Sequence, residues 1–202
     1  MTENQGHGFT FEGFIKKILK VDHLAYNYTQ KWDISNKIPI SVKFMGVKNA
    51  LEFGSTVRIW EINEPFILVI GRWKQLESKK VIVSVDEIKI TKDILNKMRG
   101  SITLNEIKMF DQKIKKFSKG PIGQKEGILF ARQWKKERKD RMGLLTITHK
   151  IDSKDQRRIQ CNLNKKNYLS LFGEPSMKTT FKGQQIPIEI ENGPRIRNKK
   201  TR

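Results

Sequence analysis

The sequence predicts an α/β fold, because segments with the pattern of β-strands are followed by segments with helical spacing along its 202 residues. The run Phe66–Trp73 is the most apolar in the chain and is rich in β-branched residues, which predicts a central buried strand. The run Lys31–Phe44 alternates apolar and polar residues, which predicts two short, half-buried strands around a turn at Ser35–Lys37. From Thr91 onward, apolar residues recur at helical spacing.

The first element is predicted to be a helix over Phe9–Leu19 with Thr10 as its N-cap. Its apolar stripe would consist of Phe11, Phe14, Ile15, Ile18 and Leu19. Glu12 would lie in the first turn of this helix. There it either complements the helix dipole or brings a carboxylate over the sheet.

The remaining elements follow from the same two periodicities. We expect Leu51–Phe53 to be a short extended piece and Val81–Ile90 to be a further strand, with Gln75 just past the end of the central strand. The second half is predicted to contain helices at Asp93–Met98, Leu104–Phe117, Gln124–Arg141 and Asn167–Phe172, and a hairpin of Leu144–Lys150 with Arg157–Leu163.

The charge balance indicates a polyanionic partner. The chain has 41 lysine and arginine residues against 21 aspartate and glutamate residues, which gives a formal net charge of +20. Such an excess repels itself, so nucleic acid is the first candidate partner and an anionic membrane surface the second. No apolar run approaches the roughly 20 residues that span a bilayer, and no basic amphipathic helix of the interfacial type is seen, so no membrane partner is expected.

Cysteine usage and the N-terminal residues bear on location. Cys161 is the single cysteine, which excludes an internal disulfide and a cysteine-based zinc site. The N-terminal residues lack the apolar segment of a secretion signal. We therefore expect an intracellular protein, cytoplasmic or nucleoid-associated, that is not secreted.

Basic residues of the second half could contact nucleic acid. The charge run Lys135–Arg141 is either a solvated helix face or a set of phosphate contacts. His149 is interpreted as a strand-surface residue. Charge and placement select the candidate nucleic-acid contacts Arg132, Lys135, Arg138, Lys139, Arg157, Arg158 and Gln160.

One polar face of the first strand pair carries a candidate active site. Because side chains alternate along a strand, Ser41 and Lys43 face one way while the even-numbered apolar residues face the other. Asp33 alternates with Trp32 and Ile34 in the same manner, so the same face can carry Asp33, Ser41 and Lys43 together. A carboxylate beside a lysine in a basic protein suggests metal-assisted cleavage of phosphodiester bonds. The alternative is that Asp33 caps a turn and Lys43 faces solvent.

The order of Glu12 on a helix, Asp33 on a strand and Ser41-Val42-Lys43 on the next resembles the PD-(D/E)xK nuclease superfamily, which includes many type II restriction endonucleases and Holliday-junction resolvases. The resemblance covers residues 1–90. It implies a restriction-endonuclease-like core, with a mixed central β-sheet flanked by helices, and a basic helical and hairpin C-terminal half elaborating on it. It also implies Mg²⁺-dependent cleavage of phosphodiester bonds.

The resemblance also implies a role for each matching residue. Asp33 would be the central metal ligand, Lys43 would orient or deprotonate the attacking water, and Glu12 would be a helix-borne ligand or water-holder. The family usually has Asp or Glu where this chain has Ser41, so Glu12 or Glu52 supplies the missing carboxylate, a water bridges from Ser41, or the site is impaired. Glu52 is equally well an exposed acid. Gln75 either positions the water or contacts DNA, or it is a surface residue.

The function expected from these features is that of a Mg²⁺-dependent DNA endonuclease, sequence-specific like a type II restriction enzyme and homodimeric if it cuts a palindrome. RNA is not excluded as the nucleic acid. The alternatives are a non-catalytic basic DNA- or RNA-binding protein, a Holliday-junction resolvase-like nuclease, or a structural RNA-associated protein. We expect a single domain over 1–190, with a catalytic core over 1–90 and an elaboration over 91–190, followed by a basic tail over 191–202.

Overall fold

A computed structural model of the chain describes residues 3–24, 31–35, 37–77, 79–152 and 156–191. The fold is mixed α/β, and its residues divide into two compact units. The first unit contains the described parts of 1–49, 65–90 and 172–202, and the second contains those of 50–64 and 91–171. Residue 90 is therefore not a simple boundary in the chain, because 50–64 belong with the second unit and 172–190 with the first.

The described helices are α1 (Glu3–Ile18), α2 (Thr56–Glu61), α3 (Lys92–Arg99), α4 (Leu104–Lys116), α5 (Pro121–Glu137) and α6 (Lys165–Phe172). The described strands are β1 (Ile40–Gly46), β2 (Leu51–Ser55), β3 (Phe66–Leu76), β4 (Lys79–Ile90), β5 (Thr146–Ile151), β6 (Arg157–Leu163), β7 (Thr180–Phe181), β8 (Gln184–Gln185) and β9 (Glu189–Glu191). None of the described helices has both the length and the apolar character needed to cross a membrane.

The first unit is built on a mixed sheet of strand order β1–β3–β4–β9. Strand β1 runs parallel to β3, and the other neighbours are antiparallel. Residues Leu68, Val69 and Ile70 of β3 are fully buried, which confirms the predicted central strand. The predicted mixed sheet is thus present, with α1 packed on it.

Helix α1 begins earlier than predicted. It starts at Glu3, so Thr10 lies inside the helix and the N-cap prediction is wrong. The two glycines at positions 6 and 8 are poor helix formers, which is why the sequence pattern missed this segment. The predicted stripe is confirmed: Phe11 and Ile15 are fully buried in the core of the first unit, and the Phe11 and Phe44 rings stack with centroids 5.0 Å apart.

The segment predicted as the first strand of the pair is a single antiparallel bridge. Ile34 and Ile40 exchange backbone hydrogen bonds of 3.0 and 3.1 Å, and no strand forms over residues 31–35. The ladder stops there because the next N–H of β1, that of Val42, donates to the side chain of Asp33 instead of to a backbone carbonyl. Residue 36 of the predicted turn lies outside the described residues.

The second unit is an antiparallel sheet, β2–β6–β5, with helices against it. Strand β2 confirms the predicted extended piece, and β5 with β6 confirms the predicted hairpin, although residues 153–155 of its turn lie outside the described residues. Helices α3, α4 and α6 lie where helices were predicted. Helix α5 begins at Pro121 rather than at Gln124, because proline suits the first helical position, and it ends at Glu137 before a short 3-10 turn.

Gly71 lets α1 lie directly against the sheet, and this generates the first prediction. A Cβ atom on Gly71 would lie 2.5–2.9 Å from three carbons of the Phe11 ring. We predict that Gly71→Ala lowers the free energy of unfolding by about 1–3 kcal/mol, because the ring or the helix must shift. The matched control is Gly8→Ala in α1, where a Cβ meets nothing within 4 Å and alanine should stabilise the helix by about 0.5–1 kcal/mol. Equal effects of the two substitutions in urea unfolding would contradict the close approach.

Glu106 generates a pH-dependent prediction for the second unit. It completes a capping box with Thr103, and hydrogen bonds from Arg141 and from the Thr103 backbone lower the pKa of Glu106 from 4.5 to about 2. A pKa lowered by folding means that the stabilisation is present above pH 4.5 and is lost as the pH falls through about 2. We predict that Glu106→Gln costs about 1 kcal/mol at neutral pH, with the difference from wild type narrowing in acid. Urea midpoints measured across this pH range check it, with the exposed Glu126→Gln as control; a pH-independent difference would refute it.

Candidate functional site

Asp33 lies at the open edge of the first unit's sheet. Strand β1 is the terminal strand of the described sheet: it pairs with β3 on one side and forms a single bridge, between Ile40 and Ile34, on the other. On its other side, Oδ2 of Asp33 accepts a hydrogen bond of 2.6 Å from the backbone N–H of Val42 and one of 3.1 Å from the Ser41 hydroxyl. Two donors from one strand therefore fix the orientation of this carboxylate.

Lys43 lies beside this carboxylate. Its Nζ is 3.6 Å from Oδ2 of Asp33, so the structure brings together the acid and the amine that strand alternation placed on one face. The Lys43 side chain is 25% exposed and that of Asp33 is 29% exposed, so both groups are accessible to solvent and to a ligand. A salt bridge this exposed contributes little to folding, about 1 kcal/mol at most.

Glu12 lies in the middle of α1, so it does not serve as a first-turn acid. Its Oε1 is 2.8 Å from Nζ of Lys16, and that ammonium also donates to the Leu24 carbonyl at 3.2 Å. Burial raises the pKa of Glu12; the hydrogen bond from Lys16 opposes this rise, and the negative charge of Asp33 adds to it. The positive charge of Lys43 also lowers the pKa of Glu12. Glu12, Asp33 and Lys43 thus lie within electrostatic range of one another.

Glu12 and Asp33 are the two carboxylates at this site that could hold a magnesium ion. Mg²⁺ prefers carboxylate oxygens and keeps several of its waters, so two protein ligands suffice. A cation would also relieve the repulsion between Glu12 and Asp33. The Ser41 hydroxyl donates a hydrogen bond to Asp33. A serine hydroxyl is also a poor magnesium ligand. Across the described residues, no group of three or more His, Cys, Asp or Glu side chains is placed to hold a metal ion.

The two other predicted site residues, Glu52 and Gln75, lie on different strands and have different hydrogen-bond partners. Glu52 lies on β2 of the second unit, where burial raises its pKa while the charge of Lys150 and a hydrogen bond from Asn162 lower it. Gln75 is inside β3 rather than past its end, because that strand continues to Leu76. Its side-chain amide donates to the carbonyls of Glu77 and Lys79 at 2.8 and 2.9 Å, which ties it to the β3–β4 hairpin.

The seven predicted nucleic-acid contacts all belong to the second unit, and two of them hold the fold together. Arg138 pairs with Glu106 and lies 4.7 Å from the Trp134 ring centroid. Arg157 donates to the carbonyls of Ser118, Asp152 and Gln156, so its guanidinium anchors the hairpin to the start of α5.

The other five predicted contacts differ in exposure. Arg132, Lys139 and Arg158 are exposed, whereas Lys135 and Gln160 are partly buried. Arg158 donates to the side chain of Gln156 at 3.3 Å, and Gln160 lies opposite Thr148 on the hairpin.

Sequence reasoning missed Lys16. The side chain is only 1% exposed and ion-paired, whereas a lysine side chain is expected to lie in solvent. The signal was present, because Glu12 and Lys16 are four residues apart with the acid first, the spacing that places two side chains together on a helix.

Comparison with protein-family models, with curated proteins and with solved structures finds no match for this chain. The function is therefore argued from the geometry of the chain itself.

The buried partner of Glu12 generates a stability prediction. Glu12→Ala removes the carboxylate that pairs with Lys16 and leaves the lysine charge buried. We therefore predict a loss of about 3 kcal/mol in the free energy of unfolding. The double variant Glu12→Gln/Lys16→Met removes both charges at similar volume and should recover most of that loss. Thermal and urea unfolding of the two variants compare them. If the double variant is as unstable as Glu12→Ala, the loss does not come from the unpaired charge of Lys16.

Proposed function

We propose that this protein is a metal-dependent endonuclease that hydrolyses phosphodiester bonds in DNA. The observation that carries the proposal is the placement of Asp33 and Lys43 side by side at the edge of β1, with Oδ2 and Nζ 3.6 Å apart and the carboxylate held by the strand itself. Glu12 supplies a second carboxylate within electrostatic range.

Glu12 and Asp33 would hold the Mg²⁺ ion, which supplies charge stabilisation at the phosphate and activates water when bound. The protein's own part is to fix the carboxylate of Asp33 through the N–H of Val42 and the hydroxyl of Ser41. Lys43, beside it and accessible, orients the attacking water or stabilises the negative charge that develops on the phosphate.

The charge of the protein supports DNA as the substrate. A net charge of +20 favours a polyanion, and phosphate neutralisation makes the affinity for nucleic acid depend strongly on salt. By its resemblance to restriction enzymes the proposed nuclease is sequence-specific, and cleavage of both strands of a palindrome would require a homodimer, since the symmetry of protein and site must match.

A second function is favoured by one observation, the serine at position 41. Ser41 stands where the nucleases that this chain resembles carry an acid, and its hydroxyl donates to Asp33. With a single carboxylate on the strand pair, the protein would be a non-catalytic DNA-binding protein. The two functions differ in one measurable respect, which is whether product forms when Mg²⁺ is added.

Plasmid cleavage tests the proposal. We predict that the wild type nicks or cuts plasmid DNA in Mg²⁺, and that Asp33→Asn and Lys43→Met each lower the rate by about 100-fold or more. Both variants should stay folded, because the pair is partly exposed and asparagine keeps an oxygen to accept from Val42. The matched controls are Asp22→Asn and Lys48→Met, which change exposed groups of the same unit and should cleave like the wild type.

Glu12→Gln completes the series, because it keeps the side-chain volume beside Lys16. It should cleave more slowly at low Mg²⁺ and recover part of its rate as Mg²⁺ is raised. Wild-type protein that binds DNA but gives no product in Mg²⁺ or Mn²⁺ would favour the non-catalytic function. Cleavage that survives in Asp33→Asn and Lys43→Met would place the chemistry elsewhere.

A further inference from the structure

Three basic side chains meet where α5 packs on β5, and we call them the cationic cluster: Arg132, Lys135 and His149. Arg132 and Lys135 are three residues apart on α5, which places them on one side of the helix. His149 lies on β5 between the buried residues Ile147 and Ile151, on the sheet face that carries them.

The packing of α5 along β5 explains why these side chains meet. Near the start of the helix, Gln124 donates to the Ile151 carbonyl at 3.3 Å. One turn further, Gly127 lies against Ile151, whose Cδ1 would be 3.0 Å from a Cβ on that glycine. Each further turn of the helix advances about 5.4 Å, so Arg132 and Lys135 come level with the residues that precede Ile151 on the strand.

The pKa shifts of His149 and Lys135 agree with this placement. Burial lowers the pKa of His149, and the charges of Lys135 and Arg132 lower it further, in that order. Burial also lowers the pKa of Lys135, with the charge of Arg132 adding to the effect. Burial and the two nearby cations therefore favour the neutral imidazole of His149 in the free protein.

No acidic side chain in the part of the chain that the structure describes forms an ion pair with the cluster. Neither Arg132 nor Lys135 forms a salt bridge there, and Nδ1 of His149 is buried without a hydrogen-bond partner among the described residues. Buried polar atoms normally have a partner, and mutually repelling cations gain from an anion placed between them.

Other charged groups that pack against this strand pair are already engaged. Asp111 of α4 accepts from the N–H of Ile159, the residue opposite His149, and pairs with Lys115 at 2.5 Å. Arg157 on β6 donates to three carbonyls. These groups leave the excess positive charge of the cluster uncompensated.

We propose that Arg132, Lys135 and His149 bind one phosphate group of a DNA backbone, and that His149 takes up a proton from solvent when the phosphate binds. The two permanent cations attract the phosphate, and the phosphate charge then stabilises the imidazolium that the two cations disfavour in the free protein. This inference rests on the DNA partner of the proposed function but not on cleavage, so it is tested by binding alone.

The test measures binding of a fluorescein-labelled DNA duplex in EDTA, where no cleavage occurs. Arg132→Gln and Lys135→Gln should each weaken binding and reduce the slope of log affinity against log salt by about 1, the signature of one lost phosphate contact. The matched control is Lys136→Gln, which removes an exposed lysine from the neighbouring position of the same helix. If the two cluster variants weaken binding no more than Lys136→Gln, the site is overturned.

The protonation of His149 has its own readout. Wild-type affinity should rise as the pH falls between about 8 and 5, by at most about tenfold per pH unit for one linked proton. His149→Gln should lose this dependence, while His23→Gln, an exposed histidine of the first unit, should keep it. The chain has 3 histidines, so the His149 ring signals can be assigned by NMR from the His149→Gln variant.

In that NMR titration the pKa of His149 should rise when the duplex is added, and an unchanged pKa would overturn the proton uptake. The outcomes separate the two proposals. Cleavage by the wild type with cluster variants that bind like the control would refute only the phosphate site. Variants that behave as expected in a protein that gives no product in Mg²⁺ would refute only the nuclease. A wild type that binds no duplex would refute the phosphate site.

Discussion

The first unit's candidate site depends on one hydrogen bond, from the backbone N–H of Val42 to the carboxylate of Asp33. A terminal strand presents N–H groups that must be satisfied by another strand, a side chain or water. Here the bridge between Ile34 and Ile40 aligns the chain along β1, and the Asp33 side chain then takes the place of the next backbone acceptor. The hydrogen bond that ends the ladder therefore also places the Asp33 carboxylate beside Lys43. One contact determines both where the strand pairing stops and where the site lies.

The second carboxylate is held by burial rather than by the strand. Glu12 projects from a helix whose apolar stripe fixes it on the sheet, and Lys16, four residues later, pairs with it while almost completely excluded from solvent. A buried ion pair contributes little net stability compared with apolar residues of the same size. In the first unit the pair orients the Glu12 carboxylate, because Nζ of Lys16 lies 2.8 Å from Oε1 of Glu12.

The sequence predicted what depends on periodicity and missed what depends on particular contacts. A period of two was enough to place Ser41 and Lys43 on one face and to identify the buried strand β3, and helical spacing identified the stripe of α1. It was not enough to show that residues 31–35 form no strand, because a side-chain acceptor replaces a backbone one there without leaving any mark on the hydrophobic pattern. The grouping of 50–64 with 91–171 was also missed, since it arises from long-range pairing of β2 with β6.

Not all of the 41 lysine and arginine side chains are free to meet a polyanion, because several arginines hold the fold together. Arg72 pairs with Asp86 inside the first unit, Arg138 and Arg141 share Glu106 in the second, and Arg157 spans three carbonyls. The planar guanidinium suits such multiple, directed contacts, whereas lysine acts as a mobile point charge. Arg132 differs from these structural arginines, because it is exposed and lies beside another cation rather than an acid. Among the described residues Arg132 pairs with no acid, so its removal would relieve repulsion with Lys135 in the free protein. The proposed phosphate accounts for this placement better than folding does.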